Sequence, residues 1–409
     1  MLSSGYTPHA AQAEFHRTAK RFAVLAAGAR GGKTHAAARE FLDRIYRKDR
    51  PTKTGPLHYW AAAPTYSLGK VMLREIFLAL GGQTSPFIRR YGKADREMEL
   101  IGDVTVEFKT TDRTETLVAV GLDGLWLDEA ARAKPDAWLG GLSMRLSDRA
   151  GWALFSTTPL GRNWFFDHLV KPAIRGDEGH SFHTWHSTAN TAAPALAAEV
   201  ERQRLVLPAP YFRREYEASF DAFIGQIYED FDLGLHIVSD PPDNVKETRY
   251  GVDWGFRNPG AILALQLDGA DCWHVVDEEV HTGVLVDGDS AATWVKLAKA
   301  MVARHGDGIF YCDPSAPANI AALRRAGLKP RAANNEVAPG ILSVAKAIKP
   351  LDNVPGIVVH RGCKTTIDEL TTYRWNERAG GEVPLKENDH TCDALRYALH
   401  TSKHTPAYW

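Results

Sequence analysis

The sequence predicts an α/β protein of two successive domains, each a sheet covered by helices, and three observations carry that prediction. Its 409 residues correspond to two or three domains of about 150 residues. The first half alternates short apolar runs with amphipathic segments, the pattern of a sheet with crossover helices. The second half opens on three strand-like runs in immediate succession, which pair antiparallel as a meander before helices resume.

In the first half the expected strands are Phe22 to Ala26, His58 to Ala62, Thr105 to Phe108, Gly124 to Leu127 and Trp152 to Ser156. The expected helices are Lys33 to Tyr46, Leu68 to Leu80 and Pro135 to Leu142, the last opening on a proline that a first turn tolerates. A loose acidic and aromatic stretch between Ala218 and Pro242 marks the boundary. The first domain is expected at 1–218, a linker at 219–245 and the second domain at 246–409. The second domain reads as strands Arg249 to Trp254, Ala261 to Leu267 and Trp273 to Val280, helix Ser290 to His305, strand Gly308 to Cys312, helix Ala318 to Ala326 and strand Ile357 to His360. Two helices, Cys363 to Tyr373 and Asp389 to Ser402, close it.

Hydrophobic residues at 44% and charged residues at 24% exclude disordered, collagen-like and coiled-coil classes. Lys plus Arg 49 against Asp plus Glu 50 leaves a net charge of -1, so a nucleic-acid partner must be met by local patches. The clusters Arg89-Arg90, Arg202 with Arg204, Arg213-Arg214, and Arg324-Arg325 with Lys329 and Arg331 are candidates. Cys272, Cys312, Cys363 and Cys392 form no C-x-x-C pair and have no histidine at zinc-finger spacing, so they read as buried thiols in a reducing compartment. No run reaches 18 apolar residues, and the N-terminus lacks the basic start and apolar core of a signal peptide; neither leader nor membrane span is expected.

The run Phe22 to Ala26 is followed by Ala27-Gly28-Ala29-Arg30-Gly31-Gly32-Lys33-Thr34, where a helical pattern begins. Strand, glycine loop and helix are the context of a phosphate loop, and G-x-x-x-x-G-K-[ST] is met except that Ala27 replaces the first glycine. Gly28, Gly31 and Gly32 let backbone N–H groups approach a polyphosphate. Lys33 is placed to neutralise the β and γ phosphates of ATP, and Thr34 to hold Mg²⁺. Such a loop requires a later apolar strand ending in acid, and Leu125-Trp126-Leu127-Asp128-Glu129 supplies it. Asp128 is the candidate for ordering the Mg²⁺ shell, Glu129 for orienting and deprotonating the attacking water. Ser156, Thr157 and Thr158 end the next strand in hydroxyls and are candidates for coupling γ-phosphate loss to movement. Gln12 is placed as an adenine reader.

In the second half, Asp253 stands in an otherwise apolar strand and must be paired or metal-bound. Asp313 ends a later strand, and Asp393 lies on the closing helix, with Asp389 one turn before it on the same face as an auxiliary ligand. This is the carboxylate arrangement of RNase H-like nucleases, suited to two Mg²⁺ or Mn²⁺ ions ~3.5–4 Å apart. His390 and His360 read as packed or solvated.

This order of motifs, with Trp60-Ala61-Ala62-Ala63-Pro64-Thr65, Asp313-Pro314-Ser315 and Asp393-Ala394-Leu395-Arg396-Tyr397, resembles the large terminase subunit of tailed bacteriophages. The resemblance implies a P-loop (ASCE-type) ATPase domain followed by an RNase H-like nuclease domain with a mixed sheet. It implies ATP-driven translocation of double-stranded viral DNA into the procapsid and two-metal-ion cutting of concatemeric DNA, and it places Arg30 in the nucleotide site. The implied partners are double-stranded DNA, a small terminase subunit, the portal protein and further copies of the chain in a pentameric ring, with no membrane. The implied location is the host cytoplasm, transiently at the portal and not in the mature virion. Two departures stand out. Val120-Gly121 occupies the place of an Arg-Gly pair whose arginine reaches a neighbour's nucleotide, leaving Arg113, Arg132, Arg145 and Arg149 as substitutes. With the sequence stopping at Trp409, soon after the last nuclease helix, no long portal-binding tail is expected. The alternative, another DNA-dependent ATPase or helicase with an attached nuclease, requires a second motor domain, for which the stretch after Pro159 is too short.

Overall fold

The computed structural model describes residues 5–48, 56–113, 117, 120–377, 379 and 382–401. The chain divides into two compact units, Met1–Arg202 with Pro210–Ala222 and Ala379–Gly381, and Gln203–Ala209 with Phe223–Arg378 and Glu382–Trp409.

The first unit comprises α1 (Ala10–Thr18), β1 (Phe22–Ala27), α2 (Lys33–Asp43), β2 (Leu57–Ala63), α3 (Tyr66–Leu80), β3 (Ile88–Gly92), β4 (Glu97–Leu100), β5 (Val104–Thr110), β6 (Gly124–Asp128), β7 (Trp152–Thr157), α4 (Lys171–Ile174) and β8 (His180–Trp185). Two further helices follow, α5 (Ala195–Val206) and α6 (Ala209–Glu217). The sheet order is β3-β4-β5-β2-β6-β7-β1-β8. It is parallel from β5 to β8 and antiparallel only over β3, β4 and β5. Its parallel strands are buried on both faces, which is why they read as unbroken apolar runs such as Ala23–Ala27 and Leu125–Leu127. β7 separates the glycine-loop strand β1 from the acidic strand β6, with Ala26 opposite Thr157 and Asp128 opposite Ser156. One sheet edge thereby gathers the ends of all three strands, where open α/β sheets bind ligands.

The expected helix Pro135 to Leu142 is instead a π turn, Ala137–Gly141, running into a 3₁₀ segment, Leu142–Leu146. Gly140-Gly141 inside it lowers helix propensity, and Gly141 takes φ -125°, ψ -80°, outside the helical region. The helix after the glycine loop likewise loosens into a π turn over Arg44–Lys48.

The second unit contains α7 (Leu233–His236), β9 (Ile237–Val238), β10 (Glu247–Asp253), β11 (Gly260–Leu267), β12 (Trp273–His281), α8 (Trp294–His305), β13 (Ile309–Cys312), α9 (Pro317–Arg325), β14 (Lys329–Ala332), α10 (Val337–Ile348), β15 (Ile357–His360), α11 (Lys364–Thr372) and α12 (His390–His400). Its sheet order is β14-β13-β10-β11-β12-β15-β9. The β10, β11 and β12 meander is antiparallel, as expected, and the flanking strands are parallel, so the sheet is mixed. The helix expected from Ser290 begins only at Trp294, because Thr293 caps it by accepting from Lys296 N at 3.2 Å. Of the expected closing helix, Ser402 lies outside the described residues, as does the Trp409 terminus.

Gly251 lets α12 lie directly on β10. A Cβ there would sit 2.7 Å from the carbonyl carbon of Ala394. Gly251→Ala is therefore expected to cost at least about 1–3 kcal/mol through overpacking against backbone that cannot swing away. Thermal melting checks this, and an unchanged midpoint would refute the close approach.

Candidate functional site

In the first unit the glycine loop is shaped by two left-handed residues, Arg30 at φ 61° and Gly32 at φ 81°. Gly32 is the N-cap of α2 and brings no side-chain cap, so the first-turn amides of Lys33 and Thr34 point to an anion by default. Side chains brace the loop through its carbonyls, His9 Nε2 among them, 3.4 Å from Gly31 O. Trp185 donates to Gly31 O at 2.7 Å, Ser187 to Ala29 O at 2.6 Å, Asn190 to Arg30 O at 2.7 Å, and Gln12 to Gly32 O at 3.2 Å. Gln12 is buried, and its other amide atom accepts from His9 N at 3.1 Å. Both ends of that amide have protein partners.

Gly28 has a different reason from the one its spacing suggests. Its N–H donates to Trp185 O at 3.0 Å, and a Cβ would lie 2.5 Å from Ser187 Oγ and from Tyr216 O. It is a packing glycine. Gly31 N–H likewise turns inward, to Gly28 O at 3.0 Å.

Lys33, Asp128, Glu129 and the three hydroxyl residues form one connected set. Lys33 Nζ donates to Thr158 Oγ1 at 3.0 Å and lies 3.5 Å from Glu129 Oε1. Ser156 Oγ donates to Asp128 Oδ1 at 2.5 Å and accepts from Trp126 Nε1 at 2.7 Å. Thr157 Oγ1 accepts from Ala131 N at 3.3 Å, tying β7 to the segment after Glu129. Glu129 itself is held left-handed at φ 50°, a strained state that non-glycine residues keep mainly where function needs it. Burial first, then the Glu129 charge, pushes Asp128 up to about 7, against the Ser156 hydrogen bond and the Lys33 charge. A carboxylate so disfavoured by burial suits a cation. Among the candidate arginines, Arg149 is committed to Asp123 at 2.8 Å, whereas Arg132 is half exposed with Nε 3.4 Å from Glu129 Oε2.

In the second unit, Asp253 ends β10 and Asp313 follows β13, its N–H donating to Val252 O at 2.9 Å. Asp389 and Asp393 belong to the start of α12. All four carboxylates are buried. Three of them have their own donors: His390 Nδ1 lies 3.0 Å from Asp253 Oδ2, Ser315 donates to both oxygens of Asp313, and Arg396 reaches Asp393 at 3.1 Å. Lys386 Nζ lies 2.9 Å from Asp393 and 3.1 Å from Asp389. Burial, then Asp393 and Asp313, pushes Asp253 up to about 6 despite the His390 hydrogen bond. Hard, buried carboxylate oxygens are the donor type that fits Mg²⁺ or Mn²⁺. The carboxylates do not converge to within 4.8 Å of one another, and among the described residues the set that does is Asp268, Cys272 and His274.

Sequence reasoning missed Lys386 and undervalued His390. His390, expected to be packed or solvated, is the partner of Asp253; its position directly after Asp389 was the available signal. His360 does sit at an edge, on Ser239 O at 2.8 Å. The basic clusters are largely neutralised: Arg90 pairs with Asp95, Glu97 and Glu99, Arg89 with Asp103, Arg202 with Glu199, Arg214 with Glu215, Arg325 with Asp287 and Lys329 with Asp307.

No family model matches the chain. It is 27% identical over 369 residues to the terminase large subunit of Escherichia phage T5, covering 83% of this chain and 78% of that one. It is 26% identical over 432 residues to the terminase large subunit of Thermus virus P23-45, covering 93% and 84%. Its fold matches that of the large terminase from a thermophilic bacteriophage with a TM-score of 0.61 at 22% identity, covering 96% and 98%.

Proposed function

We propose, from the premise that this chain shares sequence and fold with the large terminase subunits of bacteriophages, that it is an ATP-driven DNA-packaging motor with its own nuclease. The observation that carries the motor reading is the connected set Lys33, Thr158, Glu129, Asp128 and Ser156 at one sheet edge. The large terminase of the thermophilic bacteriophage has also been solved with ATP-γ-S. We assign the motor to 1–218 and the nuclease to 246–409; of the intervening 219–245, the part from Phe223 on belongs to the second unit, whose sheet takes β9 from it. The second unit is a mixed sheet with an antiparallel centre, not a second motor, which disfavours a helicase.

In the motor, the α2 N-terminus, Lys33 and Arg30 bind the phosphates of ATP, and Thr34 and Asp128 hold Mg²⁺. Glu129, facing Lys33, orients and deprotonates the attacking water. Gln12 positions the loop. Loss of the γ-phosphate is felt by Lys33 and, through Thr158, by the hydroxyl strand end that also holds Asp128 and Ala131. Arg132 is the arginine placed to act at the nucleotide. In the nuclease, Asp253, Asp313 and Asp393, with Asp389 as auxiliary, would hold two divalent ions, which would supply activation of water and stabilisation of the leaving 3′ oxygen. His390 orients Asp253, while Lys386 and Arg396 hold the Asp393 carboxylate in place. The partners that follow are double-stranded DNA, a small terminase subunit and the portal, on which copies of this chain form a ring, placing it in the host cytoplasm. Among the described residues no helix is long and apolar enough to cross a membrane.

For DNA binding the structure offers cations other than the paired clusters. Lys70, Lys93 and Arg96 line a cavity of about 250 Å³ floored by Phe77, Tyr91 and Phe108, and none of the three forms an ion pair among the described residues. Lys70 and Arg96 stand over the ring of Tyr66 at 4.8 and 4.3 Å. Removing all three is expected to lower the slope of log K against log salt for duplex DNA by up to about 0.9 for each phosphate that the variant no longer neutralises. ATP hydrolysis with and without duplex DNA tests the motor itself. Stimulation by DNA supports it; turnover indifferent to DNA would argue for a nucleotide switch instead.

A further inference from the structure

We infer that the β11–β12 hairpin carries a site for a thiophilic divalent cation of the Zn²⁺ type, formed by Asp268, Cys272 and His274. Leu267 pairs with Trp273 and Gln266 with His274, and Asp268 N–H donates to Cys272 O at 3.0 Å, which makes Asp268 and Cys272 the next cross-strand pair. Side chains alternate along a strand, so Cys272 and His274 share a face and Asp268 joins them from across the ladder.

The turn fixes the carboxylate before any ion arrives. Asp268 Oδ1 accepts from Ala270 N at 2.8 Å and Cys272 N at 2.9 Å, which directs Oδ2 to His274 Nε2 at 3.0 Å. One ligand atom from each of the three residues lies within 4.8 Å of the others, and none of the three is on the open surface. The imidazole is held at one nitrogen by that carboxylate, and its buried Nδ1 has no hydrogen-bond partner. Cys272 also lines a cavity of about 220 Å³, with Ala270, Asp271, Leu351, Val354 and Pro355. That gives an entry path and room for a fourth ligand.

Sulfur, imidazole and carboxylate together favour Zn²⁺, Co²⁺ or Ni²⁺ over Mg²⁺. The all-oxygen cluster of Asp253, Asp313 and Asp393 has the opposite preference, so the two sites separate by metal. Binding breaks the Cys272 S–H bond and forms a sulfur–metal bond, with the proton passing to solvent. The aspartate–histidine pair alone would staple the hairpin; the cysteine placed against it is what a staple does not need.

The test titrates the reduced full chain with Co²⁺ under saturating Mg²⁺. One Co²⁺ per chain is expected, with a thiolate-to-cobalt charge-transfer band that Zn²⁺ displaces. Cys272→Ser loses the band, and His274→Gln binds Co²⁺ at least about 10-fold more weakly. Both variants are expected to keep ATP turnover and the circular dichroism of the parent, which distinguishes a missing site from a missing fold. Absence of the band in the parent, its persistence in Cys272→Ser, or unchanged affinity in His274→Gln would each overturn the site without touching the motor and nuclease reading.

Discussion

Glu129→Gln is expected to slow ATP hydrolysis by about 10²–10⁴-fold, the range for a positioned general base, while DNA cutting by the second unit persists. The carboxylate lies 3.5 Å from Lys33 and is held there by a left-handed backbone immediately after β6. Glutamine keeps its size and a carbonyl oxygen toward Lys33 but cannot take a proton. Nucleotide binding should therefore survive, measured by fluorescent-nucleotide titration, with turnover abolished. Turnover near the parent's rate would remove Glu129 from the chemistry and point to another base at this edge.

Asp253→Asn is the second large effect, with metal-dependent cleavage expected to fall by more than the 10–100-fold typical of losing a supporting residue around a metal. ATP turnover should be unaffected. This variant carries its own folding control. Burial, with the neighbouring Asp393 and Asp313 charges, raises the Asp253 pKa from 3.8 to about 6, so its ionisation opposes folding: the favourable contribution is complete below 3.8 and is lost as pH rises through about 6. A neutral amide avoids that penalty, and at pH 8 without divalent ions the variant should melt no lower than the parent. For the same reason the parent's apparent affinity for Mn²⁺ should weaken as pH falls through about 6. Wild-type cleavage by Asp253→Asn would show that the metal site lies elsewhere.

What was legible in the sequence follows the physics of each element. The buried parallel strands announce themselves as apolar runs, and the glycine loop lies between a clear strand and a clear helix. The hairpin of β3 and β4 was hidden because Ile88-Arg89-Arg90-Tyr91-Gly92 and Glu97-Met98-Glu99-Leu100 are held at the sheet edge partly by cross-strand ion pairs such as Arg90 with Glu99, with too little apolar alternation to register. The helix α10 was hidden by Pro339 and Gly340, yet its first turn tolerates proline, and Gly340 admits Arg396, whose Cγ would lie 2.5 Å from a Cβ there. In the sites, the acids were readable because a lone Asp in an apolar strand stands out. Lys386 was not: it sits in a polar loop with nothing to single it out, although it stands three residues before Asp389, and the fold sets its Nζ 3.1 Å from Asp389 and 2.9 Å from Asp393.

The measurement that most directly tests whether one chain joins a motor to a two-metal nuclease is cutting of supercoiled plasmid by the purified protein. Samples with Mn²⁺, with EDTA and with Asp393→Ala in Mn²⁺ run in parallel, with ATP turnover followed in each preparation. The account predicts cutting by the parent in Mn²⁺ alone, none in EDTA or by the variant, and equal ATP turnover by parent and variant. Cutting that survives EDTA, or that Asp393→Ala performs at the parent's rate, would contradict it.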